Sequence, residues 1–178
     1  MDISKYDSTL DNAMFFTKIE NIFVMLYSSI MKRNLDTVKH KVSDEIIYKY
    51  QEYVDELKSN HEIQMYGELN VKSADITSIE EDDKFIIVKV DLISRFLNYV
   101  IDETSLSIKR GSNQGNREEH MNHLTFMKRK DAKKMPIARH CPSCGSMMDV
   151  SNNGKCSYCG EIFNTEDFDY ILVKIETI

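Results

Sequence analysis

The chain has 178 residues and a formal net charge of −6, with 29% charged and 10% aromatic residues. That length holds one core of ordinary size plus a small appendage, and the acidic balance argues against a whole-molecule nucleic-acid binder. No apolar run reaches the ~18 residues of a membrane-spanning helix, and Met1 to Leu10 is polar, with Asp2 and Asp7 and no signal-peptide core. The expected setting is cytoplasmic, at most peripheral to a membrane, where thiols stay reduced.

In chain order, residues 12–33 read as a long helix, because Phe15, Ile19, Ile22, Phe23, Leu26 and Ile30 recur at helical spacing. Phe16, Val24, Met25 and Tyr27 widen the stripe and predict cover on more than one side. Leu35, Val38 and Val42 predict a short second helix. Ser43 reads as an N-cap, followed by Asp44 and Glu45 in a first turn that suits carboxylates. Ile46, Ile47, Tyr50, Val54 and Leu57 form the apolar face of the third helix, which should end near Asn60.

From residue 63 the period changes to two. Met65, Leu69 and Val71 alternate with polar neighbours, and Gly67 marks a bulge or a close contact. The run Glu80-Glu81-Asp82-Asp83 predicts a hairpin turn. Phe85 to Ile101 is a long strand with Ile86, Val88, Val90 and Leu92 on one face. A turn at Asp102-Glu103-Thr104, a short strand near Leu106 to Ile108 and a loop over Gly111 to Asn116 follow. Residues 118–130 resume a strand, with Leu124 and Phe126 facing one way. In the tail, Phe168, Ile171, Leu172 and Ile175 fit a helix, whereas Ile171, Val173 and Ile175 fit a strand. Helices followed by strands argue an α+β fold with helices on one face of a curved, cone-like antiparallel sheet.

The sharpest motif is Cys141-Pro142-Ser143-Cys144-Gly145 together with Cys156-Ser157-Tyr158-Cys159-Gly160. Each Cys-x-x-Cys turn sets two thiolates on one side of a tight loop, and two such knuckles close a tetrahedral four-sulfur shell. Cys141, Cys144, Cys156 and Cys159 are therefore the candidate ligands of one structural Zn²⁺ in a ribbon. Four thiolates also suit iron, and two disulfides are the remaining alternative. A closed four-sulfur shell leaves no coordination position for catalysis.

The order of elements carries a resemblance. Phe15 and Phe16 lead through Leu26 and Ile30 into Asn34-Leu35-Asp36, then Ser43-Asp44-Glu45 with Tyr48 and Tyr50, then Val88-Lys89-Val90 and Leu124 to Arg129. This pattern resembles the Tim44-like domain, a branch of the nuclear-transport-factor-two-like superfamily of conical α+β folds. A bacterial branch appends a zinc ribbon and apolar tail similar to His140-Cys141-Pro142, Gly154-Lys155-Cys156, Tyr158-Cys159-Gly160 and Asp169 to Leu172 here. The resemblance leads one to expect tryptophan at the positions of Leu124 and Tyr170, where this chain departs. It implies a protein-binding or transport accessory role near a membrane, and no catalytic residues.

The expected organisation is a cone-like domain over 1–135, a zinc ribbon over 136–165 and an apolar tail over 166–178. An enzymatic cone would place an acid or base inside. Asp91, Tyr99 and Asp102 are the candidates, with Asp91 expected to face solvent. His120 and His123 would face opposite ways on a strand. His140 is expected beside the metal shell or in solvent. The basic run Lys128-Arg129-Lys130, Lys133-Lys134 and Arg139 offers contacts to anionic lipid or nucleic acid, and reads first as a solvated linker. The methionines, from Met14 to Met148, read as adaptable core filling, with a Met-lined peptide groove as the alternative. The expected function is non-catalytic binding of a protein partner. A nucleic-acid-associated ribbon and a small-molecule cone are the alternatives, and a homodimer stays open.

Overall fold

The computed structural model describes residues 1–132, Tyr158 and 169–178. The four cysteines lie outside the described residues, as do His140, Lys133, Lys134 and Arg139. A 3₁₀ turn at Ile3–Lys5 precedes α1 (Asn12–Met31), α2 (Asp44–Ser59), β1 (Glu62–Glu81), β2 (Phe85–Asp102), β3 (Ile108–Gly111), β4 (Glu118–Arg129) and β5 (Ile171–Thr177). The strands form one antiparallel sheet of order β1-β2-β4-β5, with β3 added to the end of β2. Two helices pack on one face of it, so the α+β expectation stands.

Local chemistry sets the helix ends. The Asp11 side chain accepts from the Met14 amide at 2.8 Å, satisfying one orphan donor of the first turn. Arg33 ends α1 in the left-handed region (φ 50°). Ser43 caps α2 as expected, and Asp44, Glu45 and Lys58 suit its dipole.

The predicted second helix is absent. Residues 36–41 are hydrogen-bonded turns, and Leu35, Val38 and Val42 are buried around them. Tertiary pairing wins over periodicity there. The Leu172 amide donates to the Lys41 carbonyl at 3.0 Å, and the Ser43 amide donates to the Leu172 carbonyl at 2.9 Å. The tail is thus a strand, not a helix. It pairs with β4 on one side and with residues 41–43 on the other, which covers part of its edge.

The hairpin joining β1 to β2 turns where the acidic run predicted it. The Asp82 carboxylate accepts the amides of Lys84 and Phe85, both at 2.7 Å. Ile86, Val88, Val90 and Leu92 all face the helices and are buried. Alternation in β1 is less regular than the sequence implied. The register shifts between Gly67 and Asn70, and Glu68 sits at φ 56°. Met65 therefore pairs with Tyr99 on the outer face, while Val71 pairs with Ser94 on the inner one. Gly67 is also a close approach, since a Cβ there would stand 3.1 Å from the Tyr99 ring. Leu106, expected in a strand, is an exposed turn residue with φ 58°.

The core packs both helices on the inner sheet face. Phe15 meets Phe126 and Tyr170 edge-on, with centroids 6.2 and 5.2 Å away. At this end the N-terminal turn is held by an ion pair between Asp7 and Lys128 at 2.6 Å, with 5% and 13% of their side chains exposed. Burial alone would raise the Asp7 carboxyl, but hydrogen bonds from Lys128 and Thr9 outweigh it and hold the pKa below the ordinary value. The Tyr170 hydroxyl nearby is buried and makes no hydrogen bond of good geometry among the described residues. Burial, and then the charge of Asp7 beside it, push the phenol pKa up.

Asp7→Ala strands the buried Lys128 and is expected to cost roughly 3 kcal/mol in urea unfolding, the low end for a broken buried pair. Because the folded pKa of Asp7 is depressed, its contribution is complete above the unfolded value of about 4. It is lost as pH falls through the folded value, and a series of unfolding curves between neutral and acid pH would show this. Tyr170→Phe, by contrast, should change stability by less than about 0.5 kcal/mol, since it deletes an unsatisfied hydroxyl.

Candidate functional site

Sequence reasoning named Asp91, Tyr99 and Asp102 as interior acid–base candidates, and none lies inside. Asp91 is on the outer sheet face, where its carboxylate meets His123 Nδ1 at 2.6 Å. Tyr99 lies over Gly67 on that same face. Asp102 closes the β2–β3 turn by accepting the amides of Thr104 and Ser105 at 3.0 and 2.8 Å. His120 and His123 do face opposite ways, as β4 requires.

What the fold gathers instead is an aromatic cluster between the two helices and the inner sheet face, in which Phe23, Tyr27 and Phe96 are buried and Tyr50 and Tyr66 partly so. Tyr27 of α1 contacts Phe23 at 4.5 Å, Tyr66 of β1 at 4.7 Å and Phe96 of β2 at 5.8 Å between ring centroids. Tyr66 meets Phe96 edge-on at 5.1 Å. His120 of β4 then stacks on Phe96 at 4.5 Å with planes 11° apart. Tyr50 of α2 is partly buried against the core, and the Lys49 ammonium lies 5.5 Å from its ring. No local motif signalled this lane, because its members come from five elements.

A polar network lies beneath these rings. The buried Asn122 amide donates to the Leu92 carbonyl at 3.1 Å and to Ser94 Oγ at 2.9 Å, and it accepts from Thr177 Oγ1 at 2.9 Å. Tyr27 hydrogen-bonds Thr177 in turn. To one side, the Tyr53 hydroxyl donates to Gln64 Oε1 at 2.7 Å, and Gln64 Nε2 donates to Asn98 Oδ1 at 2.8 Å. These polar side chains satisfy one another, as buried groups must. No hydrogen-bond partner meets the hydroxyl of Tyr50 or Tyr66 among the described residues.

The electrostatics favour neutral groups. Burial raises the phenol pKa of Tyr27, Tyr50, Tyr53 and Tyr66, so all four stay protonated donors at neutral pH. Glu62, buried at the start of β1, is bound bidentately by Arg110 at 2.9 and 2.7 Å and is approached by Lys109. Arg110, outweighing burial, holds its carboxyl below the usual range. Glu103 is likewise lowered by its bond from Arg33. His120 is bonded to Glu118 at 3.2 Å and to no hydroxyl or thiol among the described residues. Among the described residues no group of three or more His, Cys, Asp and Glu side chains can hold a metal.

Among the described residues the methionines do not converge on a groove. Met31 accepts the Tyr66 amide through sulfur at 3.2 Å, Met14 is exposed, and Met65, Met121 and Met127 lie on the outer face. The described part of the basic run is engaged: Lys128 with Asp7, Arg129 with Asp131, and Lys130 with Glu81. Among the described residues no helix is long and apolar enough to cross a membrane.

Nine tyrosines make the phenol prediction measurable. Absorbance titration of the folded protein should leave Tyr27, Tyr50, Tyr53, Tyr66 and Tyr170 protonated at pH values where exposed phenols ionise, near about 10. Their raised pKa values stabilise the fold fully below that pH, and the contribution is lost above it. All nine titrating together without unfolding would contradict the packing. Separately, Asn122→Ala should destabilise by about 2 kcal/mol, because Thr177 and Ser94 lose their partner inside the core.

The model of the Tim44-like domain family matches residues 1–136. The match takes in the N-terminal turn and ends before the cysteine segment. No curated protein matches the chain.

Proposed function

We propose that this chain, which belongs to the Tim44-like domain family, is a non-catalytic module whose aromatic cluster receives an apolar segment of a protein partner at the partly buried Tyr50 and Tyr66. One observation carries the reading: Tyr50 and Tyr66 of the cluster are only partly buried and present neutral phenol donors, while the buried carboxylates Asp7 and Glu62 are each consumed by a cation. Such a lining suits extended apolar groups bearing a hydrogen-bond acceptor, and phenols raised by burial favour donating a hydrogen bond over general acid–base chemistry. Membership in the family favours a role beside protein translocation, at the cytoplasmic surface of a membrane. Lys133, Lys134 and Arg139 would supply its contacts to anionic lipid. The net charge of −6 disfavours nucleic acid.

Cys141, Cys144, Cys156 and Cys159 would hold one structural Zn²⁺. The donor set fits: four soft thiolates in two Cys-x-x-Cys pairs close a tetrahedral shell. The metal would be structural and leave the aromatic cluster to do the binding. Metal analysis of chain purified without added metal should find one zinc per chain, with Cys141→Ser losing it. Iron, or well under one metal per chain with all four thiols freely reactive, would overturn this.

A small-molecule cone is the second reading, favoured by the two unpartnered phenols of Tyr50 and Tyr66. A photo-crosslinking residue in place of Lys49, beside the Tyr50 ring, separates the readings in cells. The expected result is a reproducible protein adduct from the membrane or translocation machinery, lost in a Tyr50→Ala, Tyr66→Ala variant that remains folded. Nucleic acid as the captured species would overturn the proposal. A small molecule co-purifying with the wild type in native mass spectrometry, with no protein adduct, would move the function to the cone.

A further inference from the structure

Three of the described lysines are partly buried rather than exposed: Lys18, Lys41 and Lys128. Burial strips hydration from an ammonium, and a carboxylate partner ordinarily offsets that cost. Lys128 has Asp7 and Lys18 has Asp169, each at 2.6 Å. The Lys41 ammonium has neither a hydrogen bond nor an ion pair among the described residues. The carboxylate whose charge reaches it is that of Asp169. Both oxygens of Asp169 are already bonded by Lys18 Nζ, at 2.6 Å each.

Backbone pairing sets this arrangement. Lys41 lies in the turns after α1, where its carbonyl accepts the Leu172 amide at 3.0 Å, and the adjacent Val42 is buried and bridged to Leu172. Asp169 lies two residues before β5, so the pairing that seats β5 also gathers Lys41, Asp169 and Lys18 of α1. Burial lowers the Lys41 pKa; the Asp169 charge opposes this and the Lys18 charge adds to it. Burial, and then the Lys41 charge, lower the pKa of neighbouring His40, so the imidazole adds little positive charge near neutral pH. A half-desolvated amine beside a second cation is one of the ways a lysine becomes nucleophilic.

We propose that Lys41 is an acyl-acceptor site, modified on Nζ by a small acyl phosphate. The unprotonated amine attacks the acyl carbon and a C–N bond forms. The C–O bond to phosphate breaks, and its electron pair leaves with inorganic phosphate. The proton released from nitrogen goes to solvent, and nothing is oxidised or reduced. Local charge favours an anionic donor. Apart from Arg33, which Glu103 neutralises, residues 32–41 carry Lys32, Lys39 and Lys41 against Asp36 alone, and such a field concentrates anions. The product also suits the fold, because acylation removes a charge whose burial is not offset. Since the folded pKa is lowered, protonated Lys41 costs stability below that value. Stability then rises as pH climbs from the folded pKa toward the unfolded one, about 10.4.

Treating the full chain with acetyl phosphate at neutral pH, and reading acetylation lysine by lysine by mass spectrometry, tests this. Lys41 should react about threefold or more faster than the exposed Lys39 and Lys58. Its pH–rate profile should level off below the ordinary lysine value of about 10.4. An uncharged acylating ester should give Lys41 a smaller lead, and added salt should narrow the lead with acetyl phosphate. Two variants should move the Lys41 rate in opposite directions. Lys18→Met frees Asp169 to pair with Lys41 and should slow it. Asp169→Asn leaves Lys41 beside Lys18 without a carboxylate and should speed it. A change in exposure alone does not predict opposite signs, and each variant tests the charge argument by itself should the other fail to fold. Lys41→Met should raise the urea midpoint. A Lys41 rate no higher than those of Lys39 and Lys58, a shift in the same direction in both variants, or a lower midpoint for Lys41→Met would overturn the proposal.

Discussion

The pairing of β2 on both of its edges is the constraint from which the rest of the structure follows. Along its 18 residues it meets β1 throughout, β4 over its first two thirds and β3 at its end. Its alternation divides the molecule into two surfaces. Ile86, Val88, Val90, Leu92 and Phe96 go to the helices, while Ile87, Lys89, Asp91 and Ile93 go to the other side. A one-residue slip would exchange the two sets, so burial of the first set pins the register that arranges the second. The Asp82 turn holds that register at one end. At the other, the Glu62 clamp on Arg110 and the bond from Arg33 to Glu103 hold the β2–β3 turn.

On the inner face, register also accounts for the polar residues in an otherwise apolar layer. Ser94 and Asn122 occupy positions that alternation assigns to the core, with no exposed surface. They are tolerated because Thr177 and the backbone complete their hydrogen bonds, and Tyr27 extends the chain toward α1. An unsatisfied amide there would cost about 1–3 kcal/mol, so the network fixes how β5 and α1 sit on β4. Phe96 and Tyr66 close over it. Aromatic packing and hydrogen bonding thus hold the cluster from opposite sides.

Much of this was legible wherever local chemistry and tertiary demand agree. Val88, Val90 and Leu92 alternate without interruption, the acidic turn follows β1, and Ser43 precedes two carboxylates, so strand, hairpin and cap could all be read. The Tim44-like resemblance was legible from element order as well. Three places were not. Residues 35–42 have helical spacing, but backbone pairing with Leu172 outweighs the weak propensity of so short a helix. The bulge after Gly67 puts Met65 and Val71, which alternation assigns to one face, on opposite faces, and a left-handed Glu68 carries no sequence signal. The aromatic cluster was invisible because Tyr27, Tyr50, Tyr66, Phe96 and His120 are separated in sequence and converge only through topology. The cysteine motif is the reverse case: its spacing is explicit in the chain, while its positions lie outside the described residues.

The two sheet faces differ in the kind of group they offer, and that difference bears on function. Charges on the outer face are exposed and exchangeable, with partners two residues away or on the adjacent strand, so they can register a contact at little desolvation cost. On the inner side the buried carboxylates Glu62 and Asp7 are neutralised by Arg110 and Lys128, and the phenols of the aromatic cluster are held protonated by burial. A site that performed proton transfer would need a group poised between two states near neutral pH. Phenols pushed to higher pKa move away from that condition, yet they become dependable hydrogen-bond donors. The same burial that makes Tyr50 and Tyr66 poor acids makes them good anchors for an acceptor at the end of an apolar segment.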